Sequence, residues 1–125
     1  MNDPSSTTVS NRKIGSNAEE MACRVLAEKG YKILKRNFQI RGGEIDIIAE
    51  HNKVLVFVEV KARYSHDFGL PIESITQSKV RFIKRAAQFY IHQNHLYEKQ
   101  ARFDVVTIDY VLGNPKIEVM ENAFW

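Results

Sequence analysis

The sequence predicts an α/β protein in which a mixed sheet is flanked by helices, with the element order α-β-β-β-α-β-β. Apolar residues recur at helical spacing in two segments, about residues 14–29 and 75–96. Between and after these segments lie runs rich in β-branched and aromatic residues, which are typical of strands. Because the strands are interleaved with helices, we expect the helices to cover the faces of the sheet.

Length and composition predict one globular domain. The 125 residues are 44% hydrophobic and 26% charged, and the single cysteine, Cys23, excludes an intramolecular disulfide. The net charge of +3 is compatible with nucleic-acid binding but is not diagnostic of it. No apolar run approaches the roughly 20 residues of a membrane span, and no signal-peptide pattern follows Met1. We therefore expect a cytoplasmic protein without membrane contact, with residues 1–12 as a disordered polar leader and residues 13–125 as a single domain.

The first helix is predicted over about residues 14–29. Its core-facing stripe runs from Ala18 to Leu26 at helical spacing, and Gly30 suits the position just beyond its end. Within this helix Glu19 follows Ser16 by three residues. That spacing fits a capping box, in which Glu19 would bind the backbone N–H of the cap.

The next three elements are predicted strands, at about residues 31–40, Glu44–Glu50 and Val54–Ala62. The last two form a hairpin around His51-Asn52-Lys53. A two-residue turn at Asn52-Lys53 would pair residue 51 with residue 54 and place residue 46 opposite residue 59. A three-residue turn would shift this register.

Three charged residues of the hairpin, Asp46, Glu59 and Lys61, lie inside apolar runs. A buried charge costs several kcal/mol unless it is paired or bound to a cation. In the two-residue register the three side chains would converge, since opposite residues on one face have Cβ atoms about 5 Å apart. Two carboxylates and an amine suit a hard divalent cation that acts on a phosphoryl group. The alternative is a salt-bridged pair, Glu59 and Lys61, on a solvated face, with Asp46 as a strand-end residue.

The remaining elements are a loop, a long helix and two strands. Gly69 and Pro71 predict a loop over about residues 63–73, in which Arg63 is the most plausible phosphate contact. The helix is predicted over about residues 75–96, with Ser74-x-x-Gln77 as a capping box. Its first half carries the densest basic run of the chain, which predicts either a solvated face or a phosphate-binding ridge: Lys79, Arg81, Lys84 and Arg85. Strands are predicted at about residues 103–110 and 115–121.

The charged hairpin resembles the bipartite site of the PD-(D/E)XK nuclease superfamily, here Asp46 followed by Glu59-Val60-Lys61. The wider pattern is similar to the YraN family of small bacterial proteins, which is related to archaeal Holliday-junction resolvases. The matching segments cover about residues 13–125 and are Gly15–Glu19, Gly30–Asn37, Gly43–Ala49, Val56–Arg63, Phe68–Glu73, Arg102–Val106 and Glu121–Phe124. One departure is Ala18, which stands where the YraN pattern usually has a second glycine.

The resemblance implies a restriction-endonuclease-like αβββαβ core with an extra C-terminal strand, and a metal-dependent endonuclease acting on DNA, with branched DNA as the sharper expectation. Asp46 and Glu59 would ligate Mg²⁺, or Mn²⁺ as a substitute, with the Val60 carbonyl and Glu19 completing the site. Lys61 would position or activate the attacking water. Resolvase relatives also imply a possible homodimer.

Two other functions stay open at this point. The chain could be a non-catalytic nucleic-acid-binding protein that retains the nuclease fold. It could also be a scaffold that is recruited by a protein partner through Phe124 and Trp125.

Overall fold

The chain forms a five-stranded mixed sheet with one helix packed against each face, and the predicted element order is confirmed. The computed structural model describes residues 6–64, 75–111 and 113–123, with side chains described from residue 17 onward. The elements are α1 (Ser6–Glu28), β1 (Lys32–Ile40), β2 (Gly43–His51), β3 (Val54–Arg63), α2 (Gln77–Gln93), β4 (Ala101–Asp109) and β5 (Lys116–Met120). This mixed α/β arrangement is compatible with an endonuclease-like core.

The strands lie in the sheet in the order of the sequence. Neighbouring pairs are antiparallel except for β3 and β4, which are parallel and are connected through α2. A parallel pair needs a crossover connection, and the helix provides it. Strand β1 is therefore one edge of the sheet, and β3 is its centre.

Helix α1 packs its small-residue stripe against one face of the sheet. Ala18, Ala22 and Leu26 are buried in the same cluster as Val56 and Val106. The helix begins at Ser6 and not near residue 14, so it includes residues 6–12 of the segment that was expected to be a leader. The sequence pattern could not place this start, because weak helix formers extend a packed helix at a cost of only a few tenths of a kcal/mol each. Residues 1–5 lie outside the described part of the chain.

Helix α2 packs on the opposite face, where Phe82, Ile83 and Ala86 share a core with Phe57 and Phe103. The expected capping box at Ser74 is wrong. The N-cap is Thr76, whose hydroxyl accepts a hydrogen bond from the Lys79 backbone N–H at 3.1 Å. The helix ends at Gln93, three residues earlier than predicted, where Asn94 is the C-cap.

The hairpin between β2 and β3 has the two-residue turn that the register argument required. Asn52 and Lys53 have φ values of 53° and 69°, both in the left-handed region, and His51 pairs with Val54. Two residues with positive φ are the signature of a type I′ turn, whose twist matches that of the flanking strands. The predicted register of the hairpin is therefore confirmed up to Ile47, which pairs with Val58.

A buried polar network closes the end of the sheet at which this turn lies. Asp104 is fully buried, and its carboxylate accepts hydrogen bonds from the Tyr31 hydroxyl at 2.6 Å and from Arg102 Nε at 2.9 Å. The Tyr31 ring stacks on His51 with centroids 4.0 Å apart. Because its carboxylate is fully paired, Asp104 is a structural acid.

Among the described residues, no helix is long and apolar enough to cross a membrane. Residues 65–74 and the terminal Phe124 and Trp125 lie outside the described part of the chain, so the loop expected over about residues 63–73 and the role of the two terminal residues stay predictions.

Candidate metal centre

Strands β2 and β3 separate at Asp46. Their backbone pairing ends at Ile47, and the Asp46 carboxylate then accepts a hydrogen bond from the Val60 backbone N–H at 2.8 Å. Ile45 belongs to the core under α2, whereas Ile47 belongs to the core under α1. Side chains two apart normally share a face, so the alternation of β2 is broken at Asp46. This irregularity opens a gap between the two strands.

A pocket of about 310 Å³ lies where this part of β2 and β3 meets α1, which contributes Ala18 and Glu19 to its lining. Four of the residues that the sequence singled out line it together: Glu19, Asp46, Glu59 and Lys61. Val60, for which a carbonyl ligand was expected, also lines the pocket. The structure therefore brings the proposed ligand set to one place, and the roles of its members stay predictions.

A fourth acid, Glu44, lies beside this group, close to Glu19 and Asp46. One carboxylate oxygen from each of Glu19, Glu44 and Asp46 lies within 4.8 Å of the others. Glu44 lies two residues before Asp46 on β2, and its Oε2 accepts a hydrogen bond from Gln39 Nε2 at 3.2 Å. Its position two residues before Asp46 on the same strand is the sequence feature that could have identified it as an auxiliary acid.

Glu19 projects from α1 toward this cluster. The capping-box interpretation is wrong, because α1 begins at Ser6 and Ser16 lies inside the helix. Partial burial raises the pKa of the Glu19 carboxyl, and the charges of Asp46 and Glu44 raise it further. A hydrogen bond with the Asn37 side chain opposes part of this shift.

Glu59 is the most buried acid of the site, with only 5% of its side chain exposed. Its Oε2 lies 3.7 Å from Lys61 Nζ and 3.6 Å from Lys79 Nζ. Its Oε1 is buried and has no hydrogen-bond partner among the residues that the structure describes. Burial, followed by repulsion from Asp46, raises the pKa of Glu59 to about 7 against the opposing effect of the two lysines.

The pKa of the Asp46 carboxyl is raised as well. Burial raises the pKa of its carboxyl, and the Glu44 charge adds to this effect, while the hydrogen bond from Val60 and the charges of Lys79 and Lys61 lower it. Three carboxyl groups, those of Glu19, Asp46 and Glu59, therefore line one small pocket, and a fourth, that of Glu44, lies beside Glu19 and Asp46. Such a set is unfavourable without a counter-charge, and a bound cation would relieve it.

The donor set fits a hard divalent cation. Mg²⁺ takes oxygen ligands and is bound through one or two carboxylates with several waters retained. The unpartnered Glu59 oxygen offers a ligand atom that no other described group uses. In contrast, the described residues place no histidine or cysteine in the cluster, which disfavours a soft metal.

The basic residues predicted to bind nucleic acid divide into two groups. Lys79 lies in the site through its contact with Glu59. The two residues are 20 positions apart and lie on different elements, so no local sequence pattern predicts their contact. Arg81, Lys84 and Arg85 are exposed on α2, and Arg63 ends β3. The Arg85 guanidinium lies 5.3 Å from the centroid of the Phe82 ring.

Comparison with known proteins gives a consistent relationship. The model of a family described as "Uncharacterised protein family UPF0102" matches residues 18–108. A UPF0102 protein of Clostridium novyi is 43% identical over 116 residues, covering 91% of this chain and 97% of the relative. Another, from Carboxydothermus hydrogenoformans, is 48% identical over 98 residues, covering 78% and 83%. A third, from Pelobacter propionicus, is 46% identical over 127 residues, covering 97% and 89%. The matched segment includes every acidic residue of the pocket.

Proposed function

The chain belongs to the uncharacterised protein family UPF0102, which is the YraN family that its sequence motifs resemble. We propose that it is a metal-dependent DNA endonuclease. The observation that carries the proposal is the buried, unpartnered Oε1 of Glu59, in a pocket that Asp46 and Glu19 also line. A buried acceptor of this kind is costly in a purely structural role. It is useful where an ion completes the site.

Asp46 and Glu59 would hold Mg²⁺ or Mn²⁺, with Glu19 and the Val60 carbonyl as further ligands. Glu44 is added to this set by its position beside Glu19 and Asp46. A cation held by these residues would stabilise negative charge on a phosphoryl oxygen and would lower the pKa of a water molecule bound to it.

The two lysines supply the positive charge that the acids lack. Lys61 lines the pocket itself, so its ammonium group would orient the attacking water or donate to a phosphate oxygen. Lys79 approaches Glu59 from α2 and balances its charge from the other side. The pair also holds Glu59 Oε2 in place, which leaves Oε1 for another ligand.

The exposed cations of α2 extend positive charge away from the site. Arg81, Lys84 and Arg85 follow Lys79 on the same helix, and Arg63 lies two residues beyond Lys61. Contacts between such side chains and phosphates supply most of the sequence-independent affinity for nucleic acid. The basic helix would therefore direct the backbone of a DNA strand toward the acidic pocket.

The test is cleavage of labelled four-way, flapped, single-stranded and duplex DNA in Mg²⁺ or Mn²⁺, with EDTA as the control. We expect cuts that require the metal and are lost in Asp46→Asn and Lys61→Ala. The matched control is Glu118→Gln, which removes an exposed acid from β5 and should cut like the wild type. The substrate that is cut fastest would show whether the protein acts on branched or on linear DNA. Sedimentation of the protein with that substrate would test whether it forms a homodimer.

A second readout does not depend on activity. Mn²⁺ should raise the melting temperature of the wild type and of Glu118→Gln, but not that of Glu59→Gln, because a ligand stabilises only the state that binds it. The proposal would be contradicted if the protein binds DNA without cutting it, if Asp46→Asn binds with the same affinity, and if Mn²⁺ does not raise the melting temperature of the wild type. That result would favour a nucleic-acid-binding protein that retains the fold.

A further inference from the structure

An open groove of about 610 Å³ lies between β1 and the C-terminal half of α2. Its floor contains the rings of Phe38 and Tyr90. Lys35 and four carboxamide side chains line the rest: Asn37, Gln39, Gln93 and Asn94. The groove is separate from the acidic pocket, with which it shares no lining residue.

Aromatic side chains are concentrated at this groove. The rings of Phe38 and Tyr90 meet edge to face, with centroids 5.1 Å apart. Phe89 does not itself line the groove, but its ring centroid lies 6.4 Å from that of Phe38, and it is 52% exposed. Phe89 adds little to the core because half of its surface faces solvent. Its exposed ring is available to a planar partner.

The groove leads directly to the acidic cluster. Gln39, which lines the groove, donates to Glu44 Oε2 at 3.2 Å. Asn37, the other β1 carboxamide of the groove, hydrogen-bonds to the Glu19 side chain. Both contacts place the groove next to the proposed cleavage site, along the edge strand of the sheet.

We propose that this groove binds an unpaired nucleotide of the strand whose phosphate lies at the acidic cluster. The inference rests on the proposed function and names its substrate class, a nucleic acid with a single-stranded segment next to the cut. Phe89 would stack on the base, and the carboxamides would meet the hydrogen-bonding edges that a duplex keeps paired. Lys35 would contact a phosphate. Aromatic stacking of this kind tolerates any base.

The backbone argues against a peptide strand as the occupant of this edge. Asn37 has a φ value of 53°, in the left-handed region, and lies in the middle of β1. An added β-strand needs a regular row of unpaired backbone groups, and a residue in this conformation interrupts that row. The groove therefore offers side chains to its ligand more than it offers a backbone ladder.

The experiment measures binding in EDTA, so that it does not depend on cleavage. Fluorescein-labelled 20-mers are titrated as single-stranded DNA, as single-stranded RNA of the same sequence and as blunt duplex. We expect Phe89→Ala to weaken single-strand binding about tenfold and to leave duplex binding within about twofold. Gln93→Ala should act in the same direction. The matched control is Tyr97→Ala, which removes an aromatic ring that is 60% exposed and that packs on His92 and His95 instead of on Phe38.

The outcomes separate this inference from the proposed function. A tenfold loss confined to single strands supports the groove, even if no oligonucleotide is cut. Equal single-strand affinities for Phe89→Ala, Tyr97→Ala and wild type would overturn it, even if metal-dependent cleavage is observed. Absence of binding to both single-stranded probes would overturn the groove, while cleavage of branched DNA in the presence of metal decides the proposed function separately. The DNA and RNA arms show which sugar the groove accepts.

Discussion

The Asp46 carboxylate accepts a hydrogen bond from the Val60 backbone N–H at 2.8 Å, at the point where the ladder between β2 and β3 ends. One acidic side chain thus satisfies a backbone donor that the separating strands would leave unpaired. Asp46 is therefore part of the architecture of the gap as well as a candidate ligand. These two roles can be separated by substitution.

Asp46→Asn should leave the fold intact and remove only the charge. The amide oxygen can still accept from Val60, and repulsion with Glu59 disappears. We expect the free energy of unfolding in EDTA to be unchanged or higher by about 1 kcal/mol. Asp46→Ala leaves the donor unsatisfied and should cost about 1–3 kcal/mol. Urea denaturation of both variants checks this, and equal stability of the two would show that the hydrogen bond is unimportant.

The metal-free protein should become less stable as the pH rises from about 4.5 to about 7. Glu59 keeps its proton in the native state up to about pH 7, against 4.5 as its ordinary value. Because the native state then binds more protons than the unfolded state, the free energy of unfolding falls with pH across this window, by at most about 3 kcal/mol. The stabilisation that comes from the proton on Glu59 is fully present below about pH 4.5 and is lost above about pH 7.

Urea denaturation in EDTA at several pH values between 4 and 8 measures this dependence. Glu59→Gln carries no titrating group at this position, so its stability curve should be flatter by the same amount. A variant curve parallel to that of the wild type would show that Glu59 titrates normally.

Lys79→Ala should slow cleavage more than it weakens DNA binding. Its ammonium group is 3.6 Å from Glu59 Oε2, so its loss changes the charge balance of the site itself. We expect turnover to fall roughly 10- to 100-fold. The matched control is Arg81→Ala on the same helix, which should lower affinity, reduce the salt slope of binding by about one and leave turnover almost unchanged. Identical kinetic profiles for the two variants would place Lys79 outside the site.

Gly43→Ala should destabilise the protein by about 1–3 kcal/mol because of overpacking. A Cβ at this position would lie 3.0 Å from Phe82 Cζ, and φ is 156°. Gly113→Ala is the control for backbone strain alone, since φ there is 94° and its Cβ would meet no atom of the described residues within 4 Å. Phe82→Leu should relieve part of the steric cost in a double-mutant cycle. Additive effects of the two substitutions would exclude the contact as the cause.

Much of the hairpin could be predicted because its determinants are local. The register depends on a two-residue turn, and Asn52 adopts a left-handed conformation with less strain than most residues. Glu59 and Lys61 share a face because strand side chains alternate. The break in this alternation at Asp46 could not be predicted. It depends on both helices competing for Ile45 and Ile47 from opposite faces.

The helix boundaries show a similar division. The stripe of Ala18, Ala22 and Leu26 identified the buried face of α1, since helical periodicity is a local property. The predicted start of α1 near residue 14 and the predicted cap of α2 at Ser74 are both wrong, since α1 begins at Ser6 and the cap is Thr76. Several serine and threonine residues near each boundary could cap equally well, and the packing of the helix on the sheet decides between them.

The sequence by itself determined the element order, the hairpin turn and which acidic residues stand in apolar strands. Each follows from interactions between residues a few positions apart. Only the tertiary structure decided that Glu44 joins Glu19, that Lys79 faces Glu59, and that Tyr31 binds Asp104 across 73 positions. Such contacts depend on how helices and strands pack, and the free energy of packing is a property of the whole core.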